Sequence, residues 1–280
     1  MGSERLFVRT ARSTRTWPAP DARTSAFFEA EPLAALHSHV RKVRWGHESI
    51  AAPVDELIVP DGALHLIVVL PGGGARPYGL AVGASTAPNV VHLAGDIRHV
   101  ELELDAGGSL ALFGAPARAL EGQAVPLEDL WGDAAVVFGQ RLAEEKSDQG
   151  RVHLAQAIIA ERAGNLTAPP VVRAALDRMR RRAGQLQVRT LADELGVSER
   201  RLEQLFHQYV GLTPKASCRV VRFQRVIDRL ASSEGRTSWA ELALEAGFVD
   251  QSHLANDVRA LTGLSPTRLV ARGGFGFLQD

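Results

Sequence analysis

The stretch AGFVDQSHLANDVRALTGLSP, residues 246–266, sets Gly247 behind a short apolar run, continues with polar Gln251, Ser252 and His253, and reaches Gly263 just before Leu-Ser-Pro. Glycine takes a left-handed turn at little cost, so Gly247 reads as the end of one helix and Gly263 as the end of the next. Asp250 reads as the cap of the second helix, where a carboxylate accepts from the free N–H groups of the first turn. At about 100° per residue, Leu254, Val258 and Leu261 share one face of that helix. Ser252, Asn256 and Arg259 then point away, with Gln251 and His253 at the start and flank.

The unit occurs twice. LADELGV (191–197) resembles LALEAGF (242–248) at an offset of 51, and GLTP (211–214) resembles GLSP (263–266) at an offset of 52. Leu202 matches Leu254, Phe206 matches Val258 and Ser198 matches Asp250, while one extra residue, Val249, accounts for the change of offset. Such a repeat calls for two copies of one supersecondary unit. With Gly196 and Gly247 as turns and Ser198 and Asp250 as caps, each copy reads as a helix-turn-helix, at about 188–210 and 239–262. A plain hairpin of two helices has the same outline, and the outward faces decide between them. In the first copy Leu202, Leu205 and Phe206 turn inward, leaving Arg200, Arg201, Glu203, Gln204 and His207 outside. Arginine pairs with guanine, and asparagine or glutamine with adenine, in a major groove. The joining helix, 214–232, is about 28 Å long at ~1.5 Å per residue, close to the ~34 Å of one DNA turn. Its Arg219, Arg222, Arg225 and Arg229 fit either phosphate contacts or plain surface charge.

Charge supports the same end of the chain. Residues 171–280 hold 17 Lys/Arg against 12 Asp/Glu, whereas 1–170 hold 15 against 20, although the whole 280-residue chain is neutral. The longest apolar run, Leu64 to Leu70 with His65 inside it, is far short of the ~20 residues that cross a bilayer. The start MGSERLFVRTARSTRTW lacks a signal-peptide core, so a cytoplasmic protein without membrane contact is expected. A lone Cys218 excludes an internal disulfide framework.

Turn residues in GNLTAPPVV (164–172) place a boundary between residues 1–168 and 169–280. Before it, VRKVRW, VDELIV, ALHLIVVL, LAVG, VVHLAG, RHVELEL and GGSLALFG read as short strands of an antiparallel barrel or sandwich, ending by about 125. Residues 126–163 read as two helices, 128–145 and 148–163, broken near Ser147. After it all is helical, beginning with VVRAALDRMRRRAG, whose Arg178, Arg180, Arg181 and Arg182 suit a solvated face. The expected class is α+β, with an N-terminal antiparallel β-barrel carrying helices and a C-terminal all-α double helix-turn-helix.

The stretch Ala246-Gly247-Phe248, Gln251-Ser252-His253-Leu254 and Gly263-Leu264-Ser265-Pro266 resembles the AraC/XylS-type transcriptional regulators, over residues 186–272. The resemblance implies two helix-turn-helix units that bind double-stranded promoter DNA and activate or repress transcription, with RNA polymerase as the partner of an activator. Carried over by position, Arg200, Glu203, Gln204, Gln251, Ser252, His253 and Asn256 hold base-reading or backbone-contacting places. The family commonly has arginine at Asn256 and an aromatic at Val258, and the chain departs there. The runs PDGALHLIVVL and LFGAPARALEGQAVPLEDLWG (112–132) are similar to a cupin-like sensory domain, which implies a small-molecule effector and helices for a homodimer.

Other signals point elsewhere. His37, His39, His47, His65, His92 and His99 lie in the N-terminal region. A metal-dependent cupin enzyme with a helical appendage would use such residues, but His37-Ser38-His39 with Glu48 has the wrong spacing, so no metal, cofactor or catalytic residue is expected. A third alternative gives the N-terminal domain dimerisation alone. His65 reads as a hydrogen-bonded interior residue, Pro71-Gly72-Gly73-Gly74 as a hairpin turn, and Glu101 and Glu103 as the outer face of a strand. In the tail RGGFGFLQD, Phe275, Phe277 and Leu278 suit docking on a neighbouring surface.

Overall fold

In the computed structural model the backbone is described for residues 3–9, 14–17, 22–232 and 238–273, and side chains for 26–231 and 238–271. The tail residues Phe275, Phe277 and Leu278 lie outside the described residues.

Two long strands carry the N-terminal half. β4 (Val40–Ile58) pairs antiparallel with β7 (Asn89–Leu104), with His47 opposite Arg98 and Leu57 opposite Val90. β3 (Ala22–Ala30) flanks the first part of β4, and β1 (Ser3–Arg9) runs parallel to its last part with β2 (Thr14–Trp17) outside it. On the other side β5 (Leu64–Pro71), β6 (Tyr78–Val82) and β8 (Ala124–Pro126) continue the ladder. The order is β2-β1-β4-β7-β5-β6-β8 with β3 on β4, and no pairing among the described residues closes it. The α+β class with a largely antiparallel sheet holds, in an open sheet rather than a hydrogen-bonded ring. Trp45, Leu66 and Leu102 bury one face against α3 (Asp133–Glu144) and α4 (Asp148–Arg162) through Phe138, Leu142 and Ile159.

Four local readings change. The pairs VRKVRW/VDELIV and VVHLAG/RHVELEL are each one strand, the first with a register shift between Ile50 and Val54. GGSLALFG is a helix, α1 (Gly108–Phe113), because Gly107 at φ 93° leaves the strand path and the Ser109 hydroxyl donates to the Ala115 carbonyl at 2.6 Å. The first predicted helix is two, α2 (Leu127–Trp131) and α3, because Gly132 at φ 59°, ψ −141° cannot continue a helix. Glu101 and Glu103 are buried, not on an outer face. At the end of β7, Val100, Leu102 and Leu104 face the apolar core, while Arg41 and Arg44 cover Glu101 and Glu103. The break at Ser147 stands as read, its hydroxyl accepting from Gly150 N–H at the start of α4.

The C-terminal half is α5 (Pro170–Arg181), α6 (Val188–Glu194), α7 (Glu199–Tyr209), α8 (Pro214–Ser232), α9 (Trp239–Ala246), α10 (Gln251–Thr262) and α11 (Pro266–Gly273). Val172, Met179, Leu191, Leu202 and Phe206 form one core around α5 to α7. A second gathers Phe223, Ile227, Leu242, Phe248, Leu254 and Val258, and Leu57, Val59 and Ala84 of the sheet half belong to it. Cys218 lies buried on α8, where burial pushes its thiol up to about 11.

Candidate nucleic-acid interface

α7 and α10 are each set by a glycine and a cap. Gly196 and Gly247 adopt φ 68° and 78°, a conformation costly to any residue with a Cβ. Ser198 Oγ accepts from Arg201 N–H at 3.1 Å to start α7, and Asp250 Oδ1 accepts from His253 N–H at 2.7 Å to start α10. The supporting helix α9 has a full capping box, in which Ser238 Oγ accepts from Glu241 N–H and Glu241 accepts from Ser238 N–H.

Burial follows the helical arithmetic. On α7, Leu202, Leu205 and Phe206 are buried, while Arg200, Arg201, Glu203 and Gln204 are exposed. His207 is only partly exposed, because Arg118 of the sheet half donates to its ring at 2.9 Å. On α10, Leu254, Val258 and Leu261 are buried, and Gln251, Ser252, Asn256 and Arg259 are exposed. His253 is partly covered, its ring edge-on to Phe248 at 5.2 Å between centroids. The structure thus brings Arg200, Arg201, Glu203 and Gln204 onto one outward face and Gln251, Ser252, Asn256 and Arg259 onto another, and holds His207 and His253 closer to the protein.

The arginines of α8 divide. Arg219 Nε bonds Asp257 Oδ1 of α10 at 2.7 Å, and Arg222 approaches the same carboxylate at 3.7 Å with its guanidinium 5.4 Å over Phe248. Arg229 pairs with Glu245 of α9. Three of the four therefore hold the second unit together, while Arg225 faces a cavity. Asp257, 8% exposed on the inner side of α10, is a positioning residue that the sequence did not single out. Its partner lies 38 residues away, beyond any local spacing signal. In α5 the basic run is paired as well, Arg178 and Arg182 with Glu194 of α6 and Arg181 with Asp177.

That cavity, of about 670 Å³, lies between β4 and helices α5 and α8. Its floor is a charge cluster. Arg44 bonds Glu101 at 3.3 Å and Glu103 at 2.6 Å, and His65 sits between Asp61 at 2.9 Å and Glu101 at 2.7 Å. Burial alone would lower the pKa of Arg44, but the charges of Glu101 and Glu103 outweigh it and raise it. Arg180 and Arg225 on the walls form no ion pair among the described residues, and the buried Ser217 hydroxyl has no hydrogen-bond partner. Desolvation by the walls, then repulsion from Arg41, lowers the pKa of Arg180.

His37, His39 and Glu48 do not converge. His37 bonds the Pro32 carbonyl, and Glu48 is nine residues along β4 from His39, roughly 25–30 Å at ~3.3 Å per residue. Among the described residues no group of three His, Cys, Asp or Glu could hold a metal. No helix among them is long and apolar enough to cross a membrane.

Two glycine-turned, capped helix pairs with outward polar faces are the architecture of a double helix-turn-helix. A family model described as a helix-turn-helix domain matches residues 191–272, so the chain carries a helix-turn-helix domain over that span. Solved structures are similar in part. An AraC-type DNA-binding domain protein from Chromobacterium violaceum is 27% identical over 37% of this chain and 91% of its own, with a TM-score of 0.34. The C-terminal domain of AraT, a response regulator from Geobacillus stearothermophilus, is 20% identical over 40% and 91%, with a TM-score of 0.35. ToxT from Vibrio cholerae is 8% identical over 89% and 98%, with a TM-score of 0.43. No curated protein matches the chain.

Proposed function

We propose that the chain is a cytoplasmic, sequence-specific regulator that reads two successive major grooves of promoter DNA and is controlled by a small molecule. One observation carries the reading: both copies of the repeat bury the apolar face of a capped helix, the first exposing Arg, Glu and Gln and the second Gln, Ser, Asn and Arg. Arg200, Arg201, Glu203 and Gln204 read the first half-site, and Gln251, Ser252, Asn256 and Arg259 the second. His207 and His253 flank these faces. RNA polymerase and a second copy of the chain complete the set of partners, and catalysis has no place in it. Alanine at Arg200 or Gln251 should cost about 1–3 kcal/mol of DNA affinity and relax base preference at one half-site only. Unchanged affinity and preference in both variants, measured by fluorescence anisotropy on a selected duplex, would contradict the assignment.

The effector site we propose is the cavity between β4, α5 and α8. A charged wall at Arg180 and Arg225, with an unpartnered buried hydroxyl at Ser217, suits an anionic small molecule that touches both halves. α8 joins the two reading units, so a ligand there acts on their spacing. Thermal-shift screening of small carboxylates and phosphates should find stabilising ligands whose effect vanishes in Arg225→Ala. An equal response of both proteins would leave the cavity without a role.

A further inference from the structure

One apolar side chain stands among the polar ones at the second reading helix. Val249 is 83% exposed, the highest of the exposed large apolar residues described. It lies two positions before Gln251, the first residue of α10. Its neighbours fix where it points. Phe248 is buried, against the ring of His253 and beneath Arg222. Asp250 is extended at φ −157°, ψ 175°, and is held as the cap by its bond to His253 N–H. Phe248 is anchored inward at 5% exposure, and the next side chain, Val249, is left in solvent.

The first unit shows that the turn works without this residue. There one residue, Val197, separates Gly196 from the cap Ser198, whereas Phe248 and Val249 separate Gly247 from Asp250. Val249 serves neither the core nor the cap. A single exposed apolar residue is ordinary on a protein surface, so position rather than exposure carries the weight. The N-terminal end of a recognition helix is the end that enters the major groove. Among the base edges in that groove, the apolar group is the 5-methyl of thymine.

We propose that Val249 is a specificity-determining residue, packing its two methyl groups on the 5-methyl of a thymine in the second half-site. Resting on the DNA-reading proposal above, it adds an apolar contact to the polar contacts of Gln251 and Ser252. Valine is stiff at χ1, so the contact surface is presented in a fixed orientation. Covering one methyl corresponds to about a four-fold gain in affinity, from ~0.8 kcal/mol per buried carbon.

The test uses the full-length protein on a duplex fixed by selection from random sequence. Each thymine of the site is replaced in turn by deoxyuridine, which removes only the methyl group, and affinities are measured for wild type and Val249→Ser. One replacement in the second half-site should weaken wild type about four-fold. Val249→Ser should show a similar loss on the unmodified site, be indifferent to that replacement, and unfold at the same temperature as wild type. If no deoxyuridine position loses its cost in Val249→Ser, the proposal is overturned. It is equally overturned if the variant alters transcription without altering DNA affinity, which would make the turn a protein-docking surface. Failure of wild type to select any sequence would remove the DNA-reading proposal itself, a distinguishable result.

Discussion

Gly196 and Gly247 hold equivalent places with different surroundings, which separates backbone strain from steric conflict. A Cβ at Gly196 meets nothing within 4 Å, so Gly196→Ala should cost only the left-handed backbone penalty, about 1–2 kcal/mol. A Cβ at Gly247 would lie 2.2 Å from Gln185 Cδ, and the Gln185 amide donates to the Glu245 carbonyl. Gly247→Ala should therefore cost more than Gly196→Ala in urea denaturation, and equal costs would show that Gln185 yields freely. Both turns are legible from glycine, cap and apolar spacing alone. Gln185 is not, because it reaches the second unit from the loop between α5 and α6, 62 residues upstream of Gly247.

Among elements, α8 joins the two units and orients the second. The Arg219–Asp257 pair is largely enclosed, whereas both partners of Arg229–Glu245 are about half exposed. Asp257→Ala should lose about 2 kcal/mol of stability and weaken binding at the second half-site more than at the first. Glu245→Ala should stay within about 0.5 kcal/mol of wild type. Denaturation midpoints check both, and equal losses would contradict the ranking. The 19 residues of α8 and the limits of α10 were readable because proline, cap and glycine signals are local. The long β4 and β7 were broken into pieces because glycines and a register shift inside them look like turns until the partner strand is known. α1 looked like a strand because Ser-Leu-Ala-Leu-Phe alternates, and only the backbone of Gly107 shows that the strand has ended.

Across the whole molecule, the sheet half supplies part of the core of the second helix-turn-helix unit. Leu57 and Val59 of the β4 end and Ala84 pack with Phe223, Ile227 and Leu254, and Gln224 donates to the Pro60 carbonyl. Leu57→Ala should cost about 2–4 kcal/mol and raise amide exchange in α8 and α10 as well as in β4. Exchange confined to β4 would show that the halves are energetically separate. No spacing signal foretold this join, since it links residues more than 160 positions apart. What links residue, element and molecule is the claim that two reading helices face successive grooves on one side of the duplex. Dimethyl sulfate protection of guanine N7 in the major groove, on a duplex selected by the full-length protein, tests it most directly. Two protected windows about 10 base pairs apart are predicted, the first lost in Arg200→Ala and the second in Gln251→Ala. A single window, or one that both variants erase together, would contradict it.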